Sequence, residues 1–174
     1  MVGEGASTLM RVNAGRWLAA SLPRMQHNQF LIAVFDDRDS LARVLGELGA
    51  EAAGRAAVLL HESADEPSGE TVTDHLQRMT EVHFTSSLRC VRCTAGGLAD
   101  TLAARAAGGA SSLAEALHGW LTPEQARDFE RHVASGRLLL WLPPTSPEDF
   151  ETMCARLVQA SPHLVALCNI DLAG

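Results

Sequence analysis

Residues 122–149, TPEQARDFERHVASGRLLLWLPPTSPED, hold the grammar of this fold. Thr122-Pro123-Glu124-Gln125 and Ser146-Pro147-Glu148-Asp149 each set a hydroxyl before a proline, with an acid or amide two residues on. The hydroxyl can accept from an orphan N–H of the first turn, and the N–H that proline lacks is one a helix start leaves unbonded anyway. Two helix starts therefore bracket one short strand. Working outward gives a helix, Gly136, the strand Arg137–Leu142, a turn, a second helix, Pro162 and a last strand from Leu164 to Ile170.

The same grammar governs the first half. Phe30-Leu31-Ile32-Ala33-Val34-Phe35 is a continuous apolar run, as a central strand covered on both sides requires. Asp36 or Asp37 can cap the helix that follows. Its apolar positions, Leu41, Val44, Leu45 and Leu48, fall at i, i+3, i+4 and i+7, and Gly49 suits its C′ position. Arg55 to Leu60 reads as the next strand. The helix after Ser146 repeats the spacing with Phe150, Met153, Cys154, Leu157 and Val158.

Two β-α-β units, 30–60 and 137–170, thus flank a middle segment. They most economically make an α+β domain with a ferredoxin-like four-stranded sheet, two helices on one face and a helical insertion at about 63–121. A flavodoxin-like sheet needs a further strand, which only Val82–Val91 could supply. Residues 1–28 read as an N-terminal arm, and 29–174 as a single domain. Within the insertion, Ser63–Gly69 is an acidic link. Val72, Leu76, Met79, His83, Ser86 and Cys90 recur in steps of four and three and favour a helix, although 82–91 could alternate as a strand. Thr94–Gly119 is Ala/Gly-rich, with glycine pairs at Gly96-Gly97 and Gly108-Gly109. Close-packed helices are expected there, with the glycines at turns or close approaches. Asp100, Arg105 and Glu115 interrupt the stretch, and a membrane span needs roughly 18 or more apolar residues in a row.

The order of these elements resembles the bacterial general-stress-protein family of the YflT type. The matching signals are Pro123, Glu124 and Ala126, then Gly136 with Leu138 to Trp141. The resemblance spans residues 29–172 and implies a small stress-associated or regulatory protein. It brings no catalytic residues.

Composition narrows the chemistry. The chain has 174 residues, 47% hydrophobic and 20% charged, enough for a proper core. All 14 basic residues are Arg. Without lysine there is no Schiff base, P-loop lysine or Ser–Lys dyad from this chain. A net charge of −7 and few aromatics argue against nucleic acid as a partner. The first residues do not read as a signal peptide, and four cysteines in such a chain are expected to be reduced thiols, so a cytoplasmic location is expected.

Cys90-Val91-Arg92-Cys93 is the most chemical-looking motif. Arg89 and Arg92 could lower a thiol pKa, so Cys90 and Cys93 are the thiol or metal candidates. A structural zinc would need two further ligands, and packed thiols are the plainer reading. Cys154 and Cys168 occupy apolar positions and are expected in the core. His75 and His83 would share a helix face but lie about 12 Å apart, too far for one ion. His83 is expected to be buried or half-buried. Asp36, Asp37 and Asp39 read as a helix N-terminus. Ser111-Ser112 lacks the frame of a nucleophile elbow. No set of residues points to catalysis, so no cofactor, metal or catalytic residue is assigned. The expectation is a non-enzymatic, self-associating regulatory module, a homodimer that could also take a protein partner. A thiol-redox or metal-binding protein and a small-molecule sensor are the alternatives.

Overall fold

The computed structural model describes residues 29–61, 79–94, 96–160, 163 and 165–169. The N-terminal arm, the acidic link, His75, Pro162 and the sequence from 170 onward lie outside them.

The chain runs β1 (Gln29–Phe35), α1 (Arg38–Leu48), α2 (Ala50–Arg55), β2 (Ala57–His61), β3 (Met79–His83), β4 (Cys90–Thr94), α3 (Gly97–Ala107), α4 (Leu113–Ala116), α5 (Pro123–Ala134), β5 (Leu138–Leu142), α6 (Pro147–Ala160) and β6 (Val165–Asn169). The capping signals act as their residue types require. Thr122 Oγ1 accepts from Gln125 N at 3.3 Å while Gln125 Oε1 accepts from Thr122 N at 2.9 Å, a complete capping box on α5. Ser146 Oγ accepts from Asp149 N at 3.1 Å at the start of α6, and Asp37 caps α1 through Ser40 N at 2.7 Å. At the other end of α5, Gly136 N and Arg137 N donate to the carbonyls of Val133 and His132. That Schellman closure needs the left-handed φ of 85° that glycine adopts without strain.

All six strands form one antiparallel sheet in the order β3-β4-β2-β5-β1-β6. β5 lies between β1 and β2, and β1 lies between β5 and β6, so the two β-α-β units interlock. The four expected strands are contiguous. The sheet is larger than expected because the hairpin β3–β4 extends it beyond β2. A flavodoxin-like parallel sheet is excluded by the antiparallel pairing throughout.

The hairpin also corrects the helix favoured for the start of the insertion. In the described part, 79–94, the period is two: Val82, Val91 and Cys93 turn into the core, whereas Glu81 and His83 are exposed. Spacing across a turn had mimicked a helical stripe. Two boundaries also move: Arg55 ends α2, a short helix the sequence did not announce, and β2 starts at Ala57.

Both faces of the sheet are covered. On the first, Leu31, Ala33 and Phe35 of β1 and Leu138, Leu140 and Leu142 of β5 pack with Leu41 and Val44 of α1 and Phe150, Met153 and Leu157 of α6. On the second, Ile32, Val34, Leu139 and Trp141 pack with Leu98 and Leu102 of α3, Leu113 of α4, Trp120, and Phe129 and Val133 of α5. With the two crossover helices on one face, an open second face would invite self-association to bury it; among the described residues that face is closed by this chain's own insertion together with α5. The insertion belongs to the core. Its glycine pairs sit at the two ends of α3, Gly96 as N-cap and Gly108 as C-cap. No helix among the described residues is long and apolar enough to cross a membrane.

Candidate functional site

Antiparallel pairing of β3 with β4 brings His83 opposite Cys90 and Glu81 opposite Arg92. Phe84 N donates to Arg89 O at 2.7 Å, so 84 and 89 are a hydrogen-bonded pair. The next pair inward, His83 and Cys90, is therefore of the non-hydrogen-bonded kind, in which side chains approach most closely. Glu81 stands two residues from His83 on the same face. The outcome is a cluster in which the ligand-type atoms of Glu81, His83 and Cys90 all lie within 4.8 Å of one another. Glu81 Oε2 is 3.7 Å from His83 Nε2, with the two side chains 52% and 70% exposed, whereas Cys90 is 2% exposed. A soft thiol thus forms the floor and two harder groups the rim.

The hairpin is not a loose flap. Thr85 N and Ser86 N, in its turn, donate to Ser111 O at 3.1 and 2.9 Å, which ties the turn to the loop between α3 and α4. Ser111 is held in turn by Glu115, whose Oε2 accepts from its N at 2.7 Å and its Oγ at 2.6 Å. Those bonds stabilise the ionised form and hold the Glu115 carboxyl below its usual range. Ser112 serves as the N-cap of α4, accepting from Glu115 N at 3.1 Å, which accounts for the Ser111-Ser112 pair without a nucleophile.

The strand parts the two thiols of the CxxC. Three residues of extended chain span about 10 Å and end on the opposite face, whereas a disulfide needs Cα atoms about 4.4–6.8 Å apart. Cys93 points into the core of the second face, where burial, with the Asp100 carboxylate adding to it, pushes its thiol up to about 12. Burial likewise pushes Cys154 up to about 12 and raises Cys168 further still. Such thiols are poor nucleophiles at neutral pH. No disulfide joins any of the four cysteines. His83, expected to be buried or half-buried, is exposed because the segment is strand and not helix. Glu81 escaped sequence reading for the same reason: the alternation Glu81-Val82-His83 was its signal, and the helical spacing masked it.

A second convergence of charge lies where β1 ends and β5 begins. Asp36 Oδ1 accepts from Arg137 Nε at 2.8 Å and lies 2.5 Å from His163 Nε2. These two bonds, Arg137 first, hold the Asp36 carboxyl below its usual range. Arg137 also reaches His132 Nδ1, 3.3 Å from its Nη1, and the rings of His132 and His163 stand 5.7 Å apart. Partial burial, then the charges of Arg137 and His163, depress the His132 pKa. Asp36 is thus a partner for cations of the chain itself, and Asp37 the cap. Of the acidic trio, neither Asp36 nor Asp37 is arranged around a bound cation.

No family model, curated protein or solved structure matches this chain. The site must be judged on its chemistry alone.

Proposed function

We propose that the protein is a non-enzymatic regulatory or interaction module, with a ferredoxin-like core of β2-β5-β1-β6 to which the insertion adds a hairpin and a second helical layer. The observation that carries this reading is the work done by Arg105, Glu130, Arg55 and Asp36: each holds one part of the chain to another. Arg105 Nη1 donates to the carbonyls of Ala116 and His118 at 2.7 and 2.8 Å, and its Cζ lies 4.0 Å from the centre of the Trp120 ring. Glu130 Oε2 accepts from Ala114 N at 2.6 Å, tying α5 to α4. Arg55 Nη2 reaches Asp149 at 3.2 Å, joining α2 to α6, and Asp36 joins Arg137 to His163. Groups satisfied in this way favour a scaffold over a reaction centre.

The resemblance to the general-stress family gives the module a stress-associated setting, and the cytoplasmic location expected from the sequence belongs to the same reading. Self-association, with a homodimer as its product, then runs through a strand edge. Among the described residues β3 pairs with β4 alone and β6 with β1 alone, and an edge offers a row of backbone groups that a second copy can pair. Light scattering of the full chain at micromolar concentration tests this. A dimer supports the reading, and a strict monomer overturns its self-associating part.

A further inference from the structure

We propose that Glu81, His83 and Cys90 form a binding site for one transition-metal ion of the zinc class at the turn end of the β3–β4 hairpin. The proposal goes beyond the regulatory reading and does not depend on it. It replaces Cys93 in the CxxC reading by two residues of the facing strand.

Three independent observations meet here. The ligand atoms are within 4.8 Å of one another already. A tetrahedral ion with bonds of 2.0–2.3 Å sets its ligands roughly 3.4–3.8 Å apart, so closure needs about an ångström of movement. The two side chains that must move, Glu81 and His83, are the exposed ones, and the one that is fixed, Cys90, is buried. Both strands are pinned: β4 pairs with β2 on its far side, and the turn is tied to Ser111.

The donor set chooses the ion. One thiolate, one imidazole and one carboxylate suit Zn²⁺ or Co²⁺, whereas Mg²⁺ and Ca²⁺ demand oxygen ligands. On binding, the Cys90 thiol gives its proton to solvent, His83 coordinates through an unprotonated ring nitrogen, and Glu81 coordinates through a carboxylate oxygen. Thiolate and carboxylate together neutralise the dication, so Arg92, opposite Glu81 on the same face, meets no net charge of its own sign. With three protein ligands, the fourth position faces solvent and is filled by water.

Titration of the chelator-treated, reduced full chain with Co²⁺, followed by Zn²⁺, tests the site. The expected result is a thiolate-to-cobalt charge-transfer absorption that saturates at one ion per chain and is abolished by Zn²⁺. Cys90→Ser should lose that band. Because a change at a buried position can disturb folding, His83→Gln and Glu81→Gln, both at exposed positions, carry the test with a circular dichroism spectrum as control. Each should weaken binding by more than the roughly 10- to 100-fold that loss of an outer-shell partner costs. Absence of the band in the parent chain overturns the proposal, and so does an affinity unchanged in both the His83 and Glu81 variants.

Discussion

The two faces of the sheet are built from the same strands and closed by different kinds of chain. On the first face, α1 and α6 are crossovers that leave one strand and return to the sheet within the same β-α-β unit. On the second, α3 and α4 come from the insertion and α5 follows it; they pack on β3, β4 and β5, their neighbours in the chain, and also on β1 and β2, which are far away in sequence. A crossover helix has little choice: its chain must come back beside the strand it left, and its apolar stripe faces the sheet. A helix in an insertion has several choices, and only packing across long sequence separations selects among them. The difference teaches that a bare sheet face inferred from local patterns is a statement about what has been read so far, and not about the molecule.

The comparison is broken most severely by removing the insertion. Deleting residues 79–121 strips Leu98, Leu102, Leu113, Leu117 and Trp120 from the second face and leaves the β2 edge bare. Loss of a cooperative thermal transition, with loss of helical circular dichroism beyond the deleted helices, is expected. A variant that still melts in one sharp step would show that the second layer is dispensable and that the β-α-β units are the whole scaffold.

A matched pair of cavities weighs the faces against each other. Leu41 on α1 and Leu102 on α3 are both fully buried. Replacing either by alanine should cost about 2–5 kcal/mol of unfolding free energy, since each loses transfer energy and leaves a void in a close-packed layer. Urea denaturation of the two variants measures this directly. If Leu102→Ala cost less than about 1 kcal/mol while Leu41→Ala kept its full effect, the second layer would be loosely packed, contrary to the zero exposure of Leu102, Leu113 and Leu117.

What could be read from the sequence follows the same divide. The caps at Asp37, Thr122 and Ser146 and the apolar runs at 30–35 and 138–142 are local signals, decided by groups within four residues, and they placed β1, α1, β5 and α6 to within a residue or two. α5 was equally legible as a helix, but nothing within it says which face it covers. The hairpin was lost because its period-two signal is five residues long on each strand and a turn of six residues, 84–89, lies between. The candidate site went the same way. Cys90 was visible as half of a motif whose other half faces the opposite side, while its nearer neighbours, Glu81 and His83, are linked to it by register alone.

The smallest expected effect arises where the two layers meet. His132 belongs to the last turn of α5, on the second face; His163 follows α6, which covers the first; Arg137 and Asp36 join them at the sheet's end. Asp128 and Arg131, on the same helix as His132, also act on it, the first favouring its charged form and the second opposing it. In the folded state His132 titrates below the 6.5 of an ordinary histidine, chiefly through burial and then through the positive charges of Arg137 and His163. Between the folded and unfolded values the unfolded chain binds a proton that the folded chain refuses, so stability rises with pH across that window. The contribution is therefore complete above 6.5 and is lost as the pH falls through 6.5 toward the folded value. Asp36 adds a second limb at lower pH. Its folded value lies below 3.8, so its stabilisation is present above 3.8 and disappears as the pH falls through the folded value. Urea midpoints measured from pH 8 to pH 3 should show both limbs falling on the acid side. His132→Gln should flatten the upper limb and leave the lower one, whereas Asp36→Asn should remove the lower limb and deepen the upper, because Asp36 offsets the charges of Arg137 and His163 that His132 feels. A midpoint that stays level from pH 8 to pH 5 in the parent chain would mean that the junction relaxes to accommodate a protonated His132, and that the layers are coupled at this end of the sheet by packing and not by charge.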